Sequence, residues 1–515
     1  MPFLDWVNKN QAVQTSNDVP YHLLQHNKTY GDTDAASDNL IIQGDNLQAL
    51  KALLPFYTGK VKCIFIDPPY NTQSAFEHYD DKLEHSQWLS MMYPRLVLLR
   101  ELLAEDGSIW VTLDDREAHY FKVIMDEVFG RDKFVATNVW QKRYSRENRE
   151  AIGDVHDYVV VYAKNPEIFK RTRNLIALSD KQKNIYKNPD NDPRGLWQSV
   201  SFLAQGYRPN QMYEITSPNG KVHTPPAGNC WKVIRSELDK LIENDRMYFG
   251  KDGNGVPRRK EFLSSAKGLV PWTWWPHEDV GHTDEAKKES NTIFGGDASF
   301  GTPKPERLIE RILHIGSNPN DLILDSFLGS GTTAAVAHKM GRRYIGIEMG
   351  DHAVTHCIPR LEKVIDGEQG GISKAVEWQG GGGFSFYTLG APVFDSDGHI
   401  TTDVRFKDLA AYIWWLETKQ PSTASTGSQA SQNQSPFIGE LDGTAYYLLY
   451  NGILGDRRPA GGNVLTSNVL THLLETHPHT GKKVIFGEAS RLGLARLTNE
   501  NIEFKQIPYE LHDRV

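Results

Sequence analysis

The tetrapeptide Asp67-Pro68-Pro69-Tyr70 constrains this chain more than any other feature. It follows Val61-Lys62-Cys63-Ile64-Phe65-Ile66, a short apolar run that reads as a buried strand. Two consecutive prolines cannot continue a central strand, so the chain must leave the sheet at Asp67. A carboxylate is thereby set at a strand end, ahead of a stiff loop and an aromatic ring. The surrounding pattern alternates. An apolar run at 39–42 precedes helical spacing over 47–54, and an amphipathic helix over 87–104 precedes a strand at 107–113. Strands alternating with helices predict an α/β fold with a parallel sheet.

Residues 141–300 break that pattern. Runs such as Arg208-Pro209-Asn210, Pro225-Pro226 and Trp272-Thr273-Trp274-Trp275-Pro276 read as a large irregular insertion. Regular patterning returns near 303. Leu308, Ile309, Ile312 and Leu313 make a helical stripe behind Pro305, a residue suited to a first helical turn. Leu322-Ile323-Leu324 is a buried strand that enters Asp325-Ser326-Phe327-Leu328-Gly329-Ser330-Gly331-Thr332-Thr333. A helix over 334–340 and the strand Tyr344-Ile345-Gly346-Ile347-Glu348 follow. With 515 residues, two to four domains are expected. The expected layout is an N-terminal arm (1–38), two halves of one α/β domain (39–140 and 301–395), the insertion (141–300) and a small C-terminal domain (396–515). The last includes a Ser/Thr/Gln/Asn-rich flexible tract at 419–436 and strands near 445–450 and 483–486.

Composition removes several classes. The apolar runs are too short for a transmembrane helix, and the N-terminus has no apolar stretch of a secretory signal. Cys63, Cys230 and Cys357 are widely scattered, which fits neither a disulfide framework nor a metal knuckle. A cytoplasmic protein with no membrane partner and no metal is expected. The net charge of −8 weighs slightly against nucleic-acid binding. A large enzyme can nevertheless carry a basic surface locally.

Two constellations carry chemistry. In the first, a strand runs into a glycine turn and then a helix, where the backbone can approach a ligand and unpaired amides are on offer. Glu348, at the end of the next strand, has the spacing of an acid that binds ribose hydroxyls. Together they suggest a nucleoside-containing cofactor, against the plainer reading of a structural turn. There is no G-x-x-x-x-G-K-[ST] phosphate loop, which argues against an NTPase. In the second, Asp67 and a carbonyl fixed by the prolines can accept both hydrogens of an amine, and Tyr70 can stack on a flat base. The plainer reading there is a Pro-Pro turn with an aromatic plug.

Asp67-Pro68-Pro69-Tyr70 resembles the catalytic motif of amino-group DNA methyltransferases, and the stretch from Asp325 to Gly331 resembles their S-adenosylmethionine loop. The catalytic motif comes first, an order similar to that of the circularly permuted beta class. Thr302-Pro303-Lys304-Pro305-Glu306-Arg307 and Trp378-Gln379-Gly380-Gly381-Gly382-Gly383-Phe384 extend the resemblance. The combination looks most like the Mod (modification) subunit of type III restriction–modification systems, with a similar tail at 450–459. The resemblance implies a permuted Rossmann-like S-adenosylmethionine-dependent methyltransferase fold with an inserted target recognition domain. It implies a site-specific, base-flipping adenine methyltransferase acting on double-stranded DNA. Asp67, Pro68, Pro69 and Tyr70 would be catalytic. Asp325, Phe327, Gly329, Gly331, Thr332 and Glu348 would hold the cofactor. Asp45 and Asn46 would approach its adenine, and Lys304 either pairs with its carboxylate or is solvated. The same resemblance implies a homodimer and a helicase–nuclease partner supplied by another chain.

DNA contacts are expected at the edges of the insertion. Lys142, Arg143, Arg146 and Arg149 form one basic cluster, interleaved with Trp140 and Tyr144; Arg258, Arg259 and Lys260 form another. The plainer reading of both is a solvated face. Rival functions are a cytosine amino-methyltransferase of the same fold, an RNA or protein-glutamine methyltransferase, and a DNA-recognition subunit that guides a nuclease without catalysis.

Overall fold

The computed structural model describes residues 3–71, 84–145, 151–295, 300–422, 435–453 and 455–512. Ten strands build one sheet: β1 (His22–Gly31), β2 (Leu40–Gln43), β3 (Val61–Ile66), β4 (Leu103–Leu113), β5 (Phe134–Gln141), β6 (His156–Ala163), β7 (Trp274–Trp275), β8 (Leu322–Asp325), β9 (Arg343–Glu348) and β10 (Gly383–Pro392). Their spatial order is β1-β10-β2-β9-β8-β3-β4-β6-β5-β7. The run from β10 to β4 is parallel throughout. Every residue of β3 and β8 is buried, as expected of central strands covered on both faces.

The helices around this sheet include α1 (Lys9–Asp18), α2 (Asn46–Tyr57), α3 (His85–Leu102), α4 (Ala118–Val128), α5 (Glu306–Gly316), α6 (Thr332–Lys339), α7 (Ile358–Ile365) and α8 (Phe406–Thr418). Local chemistry explains their starts and faces. The Asp45 carboxylate caps α2 by accepting the Leu47 and Gln48 amides at 2.9 and 3.3 Å. In α5 the stripe Leu308, Ile309, Ile312 and Leu313 is wholly buried. The two α/β halves, far apart in sequence, meet where β8 pairs with β3, setting Ile323 opposite Cys63 and Leu324 opposite Ile64.

Residues 175–271 form a compact unit of their own, with a core of Phe202, Ile215, Trp231, Leu238, Met247 and Phe249. That unit is narrower than the insertion drawn at 141–300. Residues on both sides belong to the larger unit. There β6, with its buried run from Val159 to Ala163, pairs antiparallel with β4 and β5, and Trp274–Trp275 adds the edge strand β7. The stretch 1–38, expected as an arm, supplies α1 and the edge strand β1, which pairs antiparallel with β10. Near the C-terminus, Phe437–Leu441, Thr444–Leu448, Lys482–Gly487 and Ile502–Gln506 form a four-stranded sheet. Ala445, Tyr447 and Ile485 make a small core on one face, while Leu448, Val484 and Phe486 join Leu409, Tyr412 and Ile413 of α8 in the main core. Residues 423–434, most of the polar tract, lie outside the described residues. Among the described residues no helix is long and apolar enough to cross a membrane.

Candidate active site

Parallel strands of an α/β sheet present a crevice at their carboxyl ends. On that edge Asp45 follows β2, Asp67 follows β3, Asp114 follows β4, and Asp325 and Glu348 end β8 and β9. Acids from both halves of the chain are thus gathered by strand order alone.

The loop after β3 is held at Asp67, Pro69, Tyr70 and Asn71. One Asp67 oxygen accepts the Thr112 hydroxyl of β4 at 2.5 Å, and the other carries the Lys304 ammonium. That ammonium also lies 5.0 Å from the centre of the Tyr70 ring. The Pro69 carbonyl accepts the Trp88 indole N–H at 2.7 Å, whereas no donor among the described residues reaches the Pro68 carbonyl. Asn71 takes a left-handed backbone (φ 58°), and its amide donates to buried Glu117 at 2.8 Å. The Tyr70 hydroxyl donates to Asp157 of β6 at 3.2 Å. Burial, with the Asp157 and Asp67 carboxylates alongside, pushes this phenol well above its ordinary pKa, so it stays a donor.

The loop after β8 is equally constrained. One Asp325 oxygen accepts the Phe327 amide at 2.9 Å and the other the Thr333 hydroxyl at 2.6 Å. Burial pushes the Asp325 carboxyl up to about 7, and the nearby Asp67 and Glu348 charges act in the same direction. Gly329 and Gly331 have φ of 56° and 81°, and a Cβ on Gly331 would sit 3.2 Å from the Cys357 backbone. Glu348 accepts the Gly329 amide at 2.7 Å and the Gly350 amide at 3.2 Å, which ties the glycine loop to the end of β9. Phe327 packs half-buried against the main core.

These residues fit a nucleoside-bearing cofactor. Gly331 stands at the N-cap of α6 with no side chain to cover its first amides. The buried Ser326 hydroxyl has no partner among the described residues. Thr332 accepts a hydrogen bond from Arg360 at 2.8 Å, so its hydroxyl supports the loop from behind. Asp45 and Asn46 are drawn to neighbours. Asp45 caps α2 and pairs with Arg95 at 3.1 Å; the Asn46 amide donates to the Ser326 carbonyl at 2.7 Å while its oxygen accepts Arg95 Nε at 2.5 Å. Arg95 and Thr112 escaped the sequence reading. For Thr112 the signal was a hydroxyl inside the apolar run 109–113; Arg95 shares its helix with several other polar residues and carried none.

The basic residues divide by burial. Lys142 is turned inward onto Asp157 (2.6 Å) and Asp154 (2.8 Å), and Lys260 is 2% exposed among Asp190 (2.6 Å), Asp192 (3.1 Å) and Asp245 (3.0 Å). Both were expected at phosphates. Each is instead the neutralising centre of a local carboxylate cluster, with its charge already spent. Arg143 and Arg258 are exposed, while Arg259 pairs with Glu261. Arg146 and Arg149 lie outside the described residues. Trp140, expected to stack, is fully buried and donates to the Gly281 carbonyl at 2.9 Å. Tyr144 is 62% exposed, in a ring stack with His277 and His282.

A family model for N6/N4 DNA methylases matches residues 61–358, which include both loops. The chain belongs to this DNA methylase family. Among its relatives, the type II methyltransferase M1.MboII of Moraxella bovis is 67% identical to this methylase over 298 residues, 58% of this chain and 87% of that one. The type III restriction-modification enzyme StyLTI Mod subunit of Salmonella typhimurium is 34% identical over 354 residues, 62% of this chain and 51% of that one. The methylase spans about half the length of the first type III Mod subunits it matches. Among solved structures, the PvuII DNA methyltransferase (cytosine-N4-specific) is 14% identical, with a TM-score of 0.36 over 68% of this chain and 94% of that one, an overlap too loose to carry an argument.

Proposed function

We propose that this methylase transfers a methyl group from S-adenosylmethionine to the exocyclic amine of adenine in double-stranded DNA, as the modification activity of a restriction–modification system. The observation that carries this reading is the juxtaposition at one sheet edge of Asp67-Pro68-Pro69-Tyr70 with the glycine loop of β8.

S-Adenosylmethionine, when bound, supplies a methyl group already activated on a sulfonium. The glycine-loop amides and Phe327 would hold it, with Glu348 at its ribose. Asp67 and the Pro68 carbonyl accept the two amine hydrogens, which turns the nitrogen lone pair out of the ring's conjugation and fixes its direction. Asp67 then takes up the proton that the methylated amine releases. Tyr70 stacks on the base, which has to leave the duplex because its amine is out of reach inside it. Since Lys304 occupies one oxygen of Asp67, amine and ammonium compete for the same carboxylate.

Residues 175–271 serve as the target recognition domain in this reading, with Arg258 and, at the edge of the insertion, Arg143 and Tyr144 facing DNA. The names of the type III Mod relatives support a restriction subunit on a separate chain as partner. A homodimer is the assembly such subunits suggest. The reading is tested by methyl-sensitive sequencing of DNA from a methylation-deficient host that expresses the chain. Methyl-adenine at one recurrent motif is expected. Methyl-cytosine would overturn the base assignment, and unmodified DNA would overturn the activity.

A further inference from the structure

We propose that Asp157 is a positioning residue for methyl transfer, holding the Tyr70 ring by its hydroxyl while Lys142 holds the other oxygen of the carboxylate. The proposal rests on the reading of Tyr70 as the surface on which the target base stacks.

The geometry is a three-member chain. Tyr70 donates to one Asp157 oxygen at 3.2 Å, and Lys142 holds the other at 2.6 Å. Asp157 is 3% exposed, and an isolated charge buried that far is costly unless a cation accompanies it. The cation is itself fixed. Lys142 has a second carboxylate, Asp154, at 2.8 Å; its amide donates to the Val155 carbonyl at 2.9 Å, and its carbonyl accepts the Thr283 amide at 3.0 Å. Lys142 is itself only 12% exposed, so it links half-exposed Asp154 to buried Asp157.

The consequence falls on the ring. Pro68 and Pro69 stiffen the backbone that enters Tyr70 but leave its side-chain torsions free. A hydrogen bond at the far end of the ring fixes the direction of its long axis and, because a phenol O–H prefers to lie in the ring plane, biases the plane a base must meet. A stacking surface held in advance costs less ordering when the base arrives. On the other side of the site, Lys304 lies 5.0 Å from the same ring, so Tyr70 is held at its hydroxyl and faced by a cation. Asp157 touches no reacting atom in this arrangement. It acts through Tyr70.

The test is a double-mutant cycle on the full chain with Asp157→Asn, Tyr70→Phe and their combination. It is read by steady-state methyl transfer, by 2-aminopurine fluorescence at the target position, and by S-adenosylmethionine binding. Each single variant is expected to lower kcat about tenfold, the equivalent of one hydrogen bond to a charged group. Cofactor affinity should be unchanged, and the double variant should be no worse than either single one. If Asp157→Asn costs as much in the Tyr70→Phe background as in the native chain, Asp157 does not act through Tyr70 and the proposal falls. Should Asp157→Asn fail to fold, Tyr70→Phe alone decides, because full activity without the hydroxyl overturns the proposal. Tyr70→Ala separates the two readings. Full activity in that variant overturns the stacking role, whereas a dead Tyr70→Ala beside fully active Tyr70→Phe and Asp157→Asn overturns only the positioning role.

Discussion

The Lys304 ammonium rests on the Asp67 carboxylate and ties the segment before α5 to the end of β3. Their side chains are 11% and 23% exposed, so neither charge is well solvated alone. Asp67→Asn keeps the shape and strands the lysine. It should lose methyl transfer by about 10²–10⁴-fold, the range of a general base, and stability by about 1–3 kcal/mol, less than a fully buried pair. Adding Lys304→Met should return the stability and leave the activity lost. Denaturant unfolding and methyl incorporation measure the two separately. A double variant that regains transfer would remove Asp67 from the chemistry, and an Asp67→Asn protein as stable as the native one would dismiss the ion pair.

Asp325 makes stability depend on pH. Burial lifts its carboxyl from the usual 3.8 to about 7, so ionisation costs more in the folded chain than in the unfolded one. The sign follows from that difference. The penalty is absent below about pH 4, builds as pH rises, and is complete above about pH 7, where it is on the order of 4 kcal/mol. Asp325→Asn removes it while keeping an acceptor for the Phe327 amide, and the Thr333 hydroxyl can reverse and donate or accept as needed. The variant should therefore gain stability relative to the native chain progressively between about pH 4 and pH 7. Parallel stability curves over that range would show that Asp325 is not held neutral by burial.

What the chain disclosed in advance depended on whether the signal was local. β3 and β8 were legible because each apolar run stops at a motif, and α5 because its stripe sits behind a proline. β6 went unread although Tyr158-Val159-Val160-Val161-Tyr162 is plainly strand-like, since it lies between a basic stretch and turn-rich sequence and pairs with elements on both sides. β1 is an edge strand with mostly exposed or half-buried positions, so it carries no clean alternation. The partners of the site are harder still. Thr112, Arg95 and Asp157 acquire roles only when strands and helices bring them to Asp67, Asn46 and Tyr70. Lys260 misled for the same reason. Alternation along the strand sets Arg258 and Lys260 on the same face, so spacing alone cannot tell the exposed arginine from the lysine that Asp190, Asp192 and Asp245 take up.

Glu306 supports the site from beneath. Its oxygens accept Arg360 at 2.9 Å, Lys339 at 2.7 Å and the Ile372 amide at 3.1 Å, and it is 1% exposed. The two cations pull its carboxyl below the usual range against the opposing effect of burial. Arg360 reaches onward to Thr332 at the start of α6, while Glu306 itself lies two residues beyond Lys304. One buried acid therefore anchors both the glycine loop and the segment that delivers Lys304 to Asp67. Glu306→Ala leaves two buried cations short of an anion, a change that costs about 3–5 kcal/mol when a buried pair is broken. It should also weaken S-adenosylmethionine binding about tenfold, near 1.4 kcal/mol, by loosening Thr332. Glu306→Gln, which keeps acceptor oxygen but no charge, should fall between the native and Ala proteins on both measures. Equilibrium unfolding and calorimetric titration provide the check. A normal unfolding midpoint in Glu306→Ala would mean that Glu368, which also pairs with Lys339, suffices to balance the cluster. A stable core with unweakened cofactor binding would separate the glycine loop from the ion cluster beneath it.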